Sequence, residues 1–159
     1  PALACLLLPL LGGGCDDQDE AKREQGSGRV VQGEATPPGD WLDARSTQSP
    51  TTWLVERMAA SGQTITPAEV VALDQALAEA DARFLESDRM IVNRSLQLST
   101  MLREIGIDRS PIVIILDFEQ AARGHQGALS FTKACELYVN SRRRGLDHAA
   151  AMRSFLQQS

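Results

Sequence analysis

Aromatic side chains make up only 4% of this 159-residue chain, and it holds three cysteines and two histidines. Three cysteines cannot build a disulfide framework, and no C-x-x-C pair at zinc spacing occurs among them. Neither His125 nor His148 has a second His or Cys at metal-ligand distance along the chain, so no metal site is expected. A haem-attachment C-x-x-C-H is missing, which excludes a four-helix cytochrome. G-x-S-x-G, a Walker loop and a dinucleotide fingerprint are missing too, so no catalytic residue and no cofactor are assigned. An excess of positive charge is lacking: the net charge is -5 and the pI about 5.0, against the basic footprint of a nucleic-acid binder. Seven prolines and 12 glycines are too few for a collagen-like or wholly low-complexity chain. Lysine is almost absent, with Lys22 and Lys133 alone among 16 basic residues, a bias of a GC-rich genome rather than of a binding function.

Residues 1–14 carry no charge. Residues 2–11 form an apolar run broken only by Pro9, followed by Gly12-Gly13-Gly14 and Cys15. A spanning helix needs about 20 apolar residues, so this run is too short to cross a bilayer. Its length suits a signal-peptide core followed by small residues where a protease must fit the chain.

The stretch Leu10-Leu11-Gly12-Gly13-Gly14-Cys15 resembles the lipobox of bacterial lipoprotein precursors. It departs from the preferred pattern at Gly12, where Leu is commonest. The resemblance implies that residues 1–14 are a signal peptide and that Cys15 receives a diacylglycerol on its thiol. It also implies cleavage just before Cys15 and acylation, such as palmitoylation, of the new amine. More than one acyl chain gives stable membrane attachment, whereas one is marginal. Asp16 resembles an inner-membrane retention signal, which favours the inner membrane for an anchored chain facing the periplasm. The alternative is a plain secretory cleavage after one of the glycines, leaving Cys15 as an ordinary thiol.

Residues 15–50 hold eight acidic against four basic side chains, with turn-formers at Pro37-Pro38-Gly39 and Ser49-Pro50. Few apolar and many turn-forming residues cannot offset the entropy of ordering, so a mostly disordered acidic linker is expected. As a flexible coil of about 35 residues it would reach some 30 Å. Trp41-Leu42 is the exception and is expected to dock on the domain or on a partner.

Residues 51–159 carry helical punctuation throughout and predict an all-α domain, a small bundle of about five helices. Thr66-Pro67-Ala68-Glu69 is a capping box with Pro at the first helical position. Behind it Val70, Leu73, Leu77, Ala80 and Phe84 recur at three- and four-residue steps. Ile91, Ser95, Leu98, Leu102 and Ile105 form a second stripe closed by Gly106. One helix over 66–106 would be about 60 Å long, so a break near Glu86-Ser87-Asp88 is preferred, with one or two helices left open. Residues 112–118 read either as a buried strand or as a helix. The Ser110-Pro111 start and the continuation to Gly124 favour helix. An αα-hairpin follows: Ser130 caps a helix with Phe131, Ala134, Cys135 and Tyr138 on one face, and Gly145 ends it. Asp147 then caps a helix presenting Ala149, Met152, Phe155 and Leu156.

Cys135 on an apolar helix face reads as a core residue, and no spacing brings His148 to it. Asp117 and Glu119, two apart, fall on different helix faces. Arg142-Arg143-Arg144 complement the carbonyl end of their helix, or contact anionic headgroups or an acidic partner. With Trp41 they are the candidate contact residues.

The reading these features support is a membrane-anchored envelope lipoprotein. Its helical domain would act by contact, as an accessory, assembly or scaffolding subunit of a secretion, conjugation or oxidation system. Its partners would be the membrane, through the lipid, and an envelope protein. The alternatives are a periplasmic chaperone-like or ligand-binding module, and a hydrolase with dispersed residues, which would need a pocket gathering His125 or His148 with a carboxylate.

Overall fold

Six helices follow one another in the computed structural model, which describes residues 40–157: α1 (Pro50–Ala60), α2 (Pro67–Ala80), α3 (Asp88–Arg103), α4 (Pro111–Ala122), α5 (Phe131–Arg143) and α6 (His148–Leu156). The expected signal peptide at 1–14, Cys15 and most of the acidic linker lie outside the described residues. Among the described residues all regular structure is helical apart from an isolated bridge, and no helix is long and apolar enough to cross a membrane.

The bundle has one helix more than expected, and the ordered domain starts before residue 51. Ser49-Pro50 is a helix start rather than a linker turn. The Ser49 hydroxyl accepts from the Thr52 amide at 3.1 Å, and Pro50 occupies the first helical position. Upstream, Leu42 is buried in the core. Its amide donates to Asn93 Oδ1 at 2.9 Å, and its carbonyl accepts from Asn93 Nδ2 at 3.1 Å. A buried amide side chain on α3 thus imitates a strand partner for one residue of the incoming chain and satisfies both of its polar groups.

Residues 66–106 form two helices. Both halves of the capping box are made at α2, with Thr66 Oγ1 accepting from the Glu69 amide at 3.2 Å and Glu69 Oε2 accepting from the Thr66 amide at 2.8 Å. The break is held from outside the segment. Leu85 donates its amide to the Leu129 carbonyl at 2.9 Å, Leu129 donates to the Arg83 carbonyl at 2.7 Å, and Phe84 and Leu129 form the bridge. Glu86 then reaches across to the start of α5, where its carboxylate accepts from Ser130 Oγ (2.8 Å) and from the amides of Phe131 (2.7 Å) and Thr132 (2.9 Å). Burial raises the Glu86 carboxyl, but these donors outweigh it and hold the group below its usual value.

The Ser110-Pro111 start makes 112–118 helical, with Ser110 Oγ accepting from the Val113 amide at 3.2 Å. Ile112, Ile114, Ile115 and Phe118 are buried, as a central helix requires. At α6 the buried face is Ala151, Met152 and Phe155. Ala149, expected on it, is exposed, because the face that packs includes Ala151 in its place.

All four phenylalanines and the single tyrosine gather in one place. Phe118 lies 5.3 Å from Phe131, 5.6 Å from Tyr138 and 5.7 Å from Phe155, and Phe84 stands edge-on to Phe131 at 5.2 Å. A sparse aromatic content therefore still joins the 84–86 turn with α4, α5 and α6. The same α4 carries a buried charge. Glu119, 4% exposed in its side chain, accepts from Arg83 Nε at 3.0 Å and from Arg123 Nη2 at 3.0 Å. Burial raises the Glu119 carboxyl, but the two guanidinium groups more than reverse this and keep it low.

Candidate functional site

Asp117 faces away from Glu119 and toward α6, where it meets groups far away in sequence. Arg109 donates from Nε to Asp117 Oδ2 at 2.9 Å and from Nη2 to the same oxygen. Arg109 Nη2 also lies 3.4 Å from His148 Nε2, and Tyr138 Oη lies 2.9 Å from His148 Nδ1. A guanidinium only donates, so Nε2 accepts, and the proton of the neutral ring sits on Nδ1, facing the tyrosine oxygen. Burial and the Arg109 charge lower the His148 pKa, against the opposing pull of Asp117 at 3.9 Å. Position at the start of α6 acts in the same sense, since a helix N-terminus disfavours a cation.

The structure thus brings His148 to a carboxylate, but with that carboxylate engaged by Arg109 and the ring held at both nitrogens. The arrangement clasps α6 to α4 and α5. His148 lines neither of the two grooves described below. His125 stands apart, half-buried in the α4–α5 loop, its amide donating to the Ala122 carbonyl at 3.1 Å.

Cys135 is buried, and burial pushes its thiol far above the ordinary range, which suits a core residue and not a nucleophile. Among the described residues no cluster of three His, Cys, Asp or Glu side chains could hold a metal ion.

Two grooves run on either side of α3. The wider, about 760 Å³, lies between α3, the end of α1 and the incoming chain, with Trp41, Arg57, Leu96, Met101 and Glu104 among its lining. Leu42 is the member of the Trp41-Leu42 pair that docks; Trp41 is 53% exposed at the groove. The narrower, about 240 Å³, lies between α3 and α5 and is lined by Arg94, Leu98, Met101, Cys135, Val139 and Arg143, among others. Gln97 and Met101 border both.

The Arg142-Arg143-Arg144 run is split by the fold. Arg142 is half-buried beside Tyr138, Arg143 stands on the narrow furrow, and exposed Arg144 donates from Nε to the Asn140 carbonyl at 3.3 Å. The furrow shares Leu98 and Cys135 with the apolar stripes, but the rest of its lining lies beside them, where the periodicity of the stripes gives no signal. Arg94 and Met101 on α3, with Val139 and Arg143 four apart on α5, were the available signal.

Fold and surface together define a small all-α domain with a ridge, α3, between two grooves. The comparisons with known proteins place that domain: the MoxZ family model matches residues 51–159, and the chain belongs to the MoxZ family. Neither a curated protein nor a solved structure matches it.

Proposed function

We propose that this chain is an accessory protein of the methanol oxidation system, anchored to the envelope by a lipid on Cys15 and working by contact with another protein of that system. The family match over 51–159 carries the reading. The two grooves beside α3 supply surface on which such a contact would form. The lipobox-like run supplies the anchor, and an anchored domain meets a partner on the same membrane at raised effective concentration.

Two measurements in the native host test the two halves. Deleting the gene is expected to lower methanol-dependent oxidation in cell extracts and to leave oxidation of other carbon sources unchanged; undiminished methanol oxidation overturns the assignment. Cys15→Ser is expected to move the folded domain from the membrane fraction to the soluble fraction; a variant that stays with the membrane overturns the anchor.

A further inference from the structure

We propose that the furrow between α3 and α5 docks an acidic amphipathic segment of a partner protein, with an apolar side chain seated on Leu98, Met101, Cys135 and Val139 and carboxylates on Arg94 and Arg143. This deepens the contact reading above and rests on it.

Charge complementarity selects the occupant. Among the described residues four arginines have carboxylate partners, Arg57 with Asp40, Arg83 and Arg123 with Glu119, and Arg109 with Asp117. Of the arginines without one among the described residues, Arg94 and Arg143 are the two that line this furrow. Arg94 Nη1 donates to Gln97 at 2.8 Å, and its Nε is buried without a hydrogen-bond partner. Glu136, the acid lining the furrow, is already near Lys133 at 3.6 Å. The furrow therefore offers two unmatched cations above an apolar floor.

Shape narrows the choice further. A volume of about 240 Å³ falls below the roughly 300–1,000 Å³ of small-molecule pockets and suits a side chain or two from a peptide. A flat bilayer surface could reach the arginines but could not fill the floor between the helices. An amphipathic segment supplies both an apolar anchor and flanking acids.

The test uses the full-length chain in detergent micelles and two short labelled peptides. One has leucines at helical spacing among glutamates, and the other has lysine in place of each glutamate. Fluorescence anisotropy is expected to show binding of the acidic peptide only, weakening as salt rises. Arg94→Glu with Arg143→Glu is expected to weaken it about tenfold or more, and Arg153→Glu on α6 to leave it unchanged. If the double variant does not fold, Arg143→Glu alone, at an exposed position, carries the comparison. In methionine-methyl NMR the Met101 signal should move in the wild type and not in the furrow-arginine variant, and that of buried Met152 should not move. The variant separates the furrow from the wide groove that Met101 also borders.

Equal binding of the lysine peptide overturns the proposal. So does a Met101 shift produced by phosphatidylglycerol vesicles and not by the acidic peptide, or by self-association as protein concentration rises. If the acidic peptide binds the furrow while gene deletion spares methanol oxidation, the furrow stands and the functional assignment falls. The reverse pair of results removes the furrow and keeps the assignment.

Discussion

Replacing Glu86 by Gln keeps the shape of the side chain and removes the charge that starts α5. In the native fold its two oxygens accept three hydrogen bonds, two of them from the amides of Phe131 and Thr132, which have no partner within the helix. Hydrogen bonds to an ionised group contribute about 1.5–3 kcal/mol each when one partner is removed. The site is only partly buried, so water recovers some of that loss. The glutamine oxygen can still accept, but its NH₂ opposes another donor. A loss of about 2 kcal/mol is expected for Glu86→Gln and about 3 kcal/mol for Glu86→Ala. For a domain of this size that lowers the melting midpoint by roughly 6–15 °C. Because the folded carboxyl sits below its usual 4.5, its contribution is present above that value and is lost as pH falls through the lower folded one. Urea unfolding at neutral pH should therefore separate wild type from Glu86→Gln, and the two should converge on acidification. A difference under about 0.5 kcal/mol at neutral pH, the size of an ordinary surface change, would refute the reasoning.

Leu42→Ala removes a side chain that is 3% exposed and should cost about 2–4 kcal/mol in urea unfolding; an unchanged midpoint would mean that the incoming chain contributes nothing to the bundle. His148 is held neutral, with a folded pKa below the ordinary 6.5. The stabilisation of the neutral ring is thus full above 6.5 and lost as pH falls toward the lower folded value. His148→Gln should flatten the dependence of the unfolding midpoint on pH in that window, and an unaltered slope would show that the clasp does not titrate there.

Local chemistry made most helix starts readable in the sequence, because a cap is a matter of neighbours. Thr66 with Glu69, Ser110 with Pro111, Ser130 and Asp147 each accept from an amide three residues on. Ser49-Pro50 follows the same rule, but it closes an acidic, turn-rich stretch in which the same two residues also suit a linker turn. Tertiary partners were not readable. Asn93 holds Leu42 across 51 residues, Glu86 caps α5 across 44 or more, and Arg109 meets His148 across 39. No period or motif encodes such pairs. They arise when hydrophobic packing brings the helices together and leaves polar groups that must find partners.

These long-range pairs have a consequence for the furrow. Its α3 wall is fixed at one end by Asn93, which holds the Leu42 backbone and is adjacent to Arg94. Its α5 wall is fixed at the start of the helix by Glu86, which accepts from the amide of Thr132, three residues before Cys135. Neither Asn93 nor Glu86 presents its polar atoms to a furrow partner, since each is already engaged within the fold. Substitutions there should act on binding only through stability, shifting the denaturation midpoint and the peptide affinity together. Arg94 and Arg143 meet no carboxylate among the described residues, so the fold loses no ion pair there when their charge is reversed. Changes at those two positions should move affinity much more than the midpoint, Arg143→Glu losing only the helix-end contribution of about 0.3–1 kcal/mol. A furrow that bound through general exposure of a loosened core would not divide its residues in this way: every destabilising variant would then bind more tightly, and the arginines would not stand out.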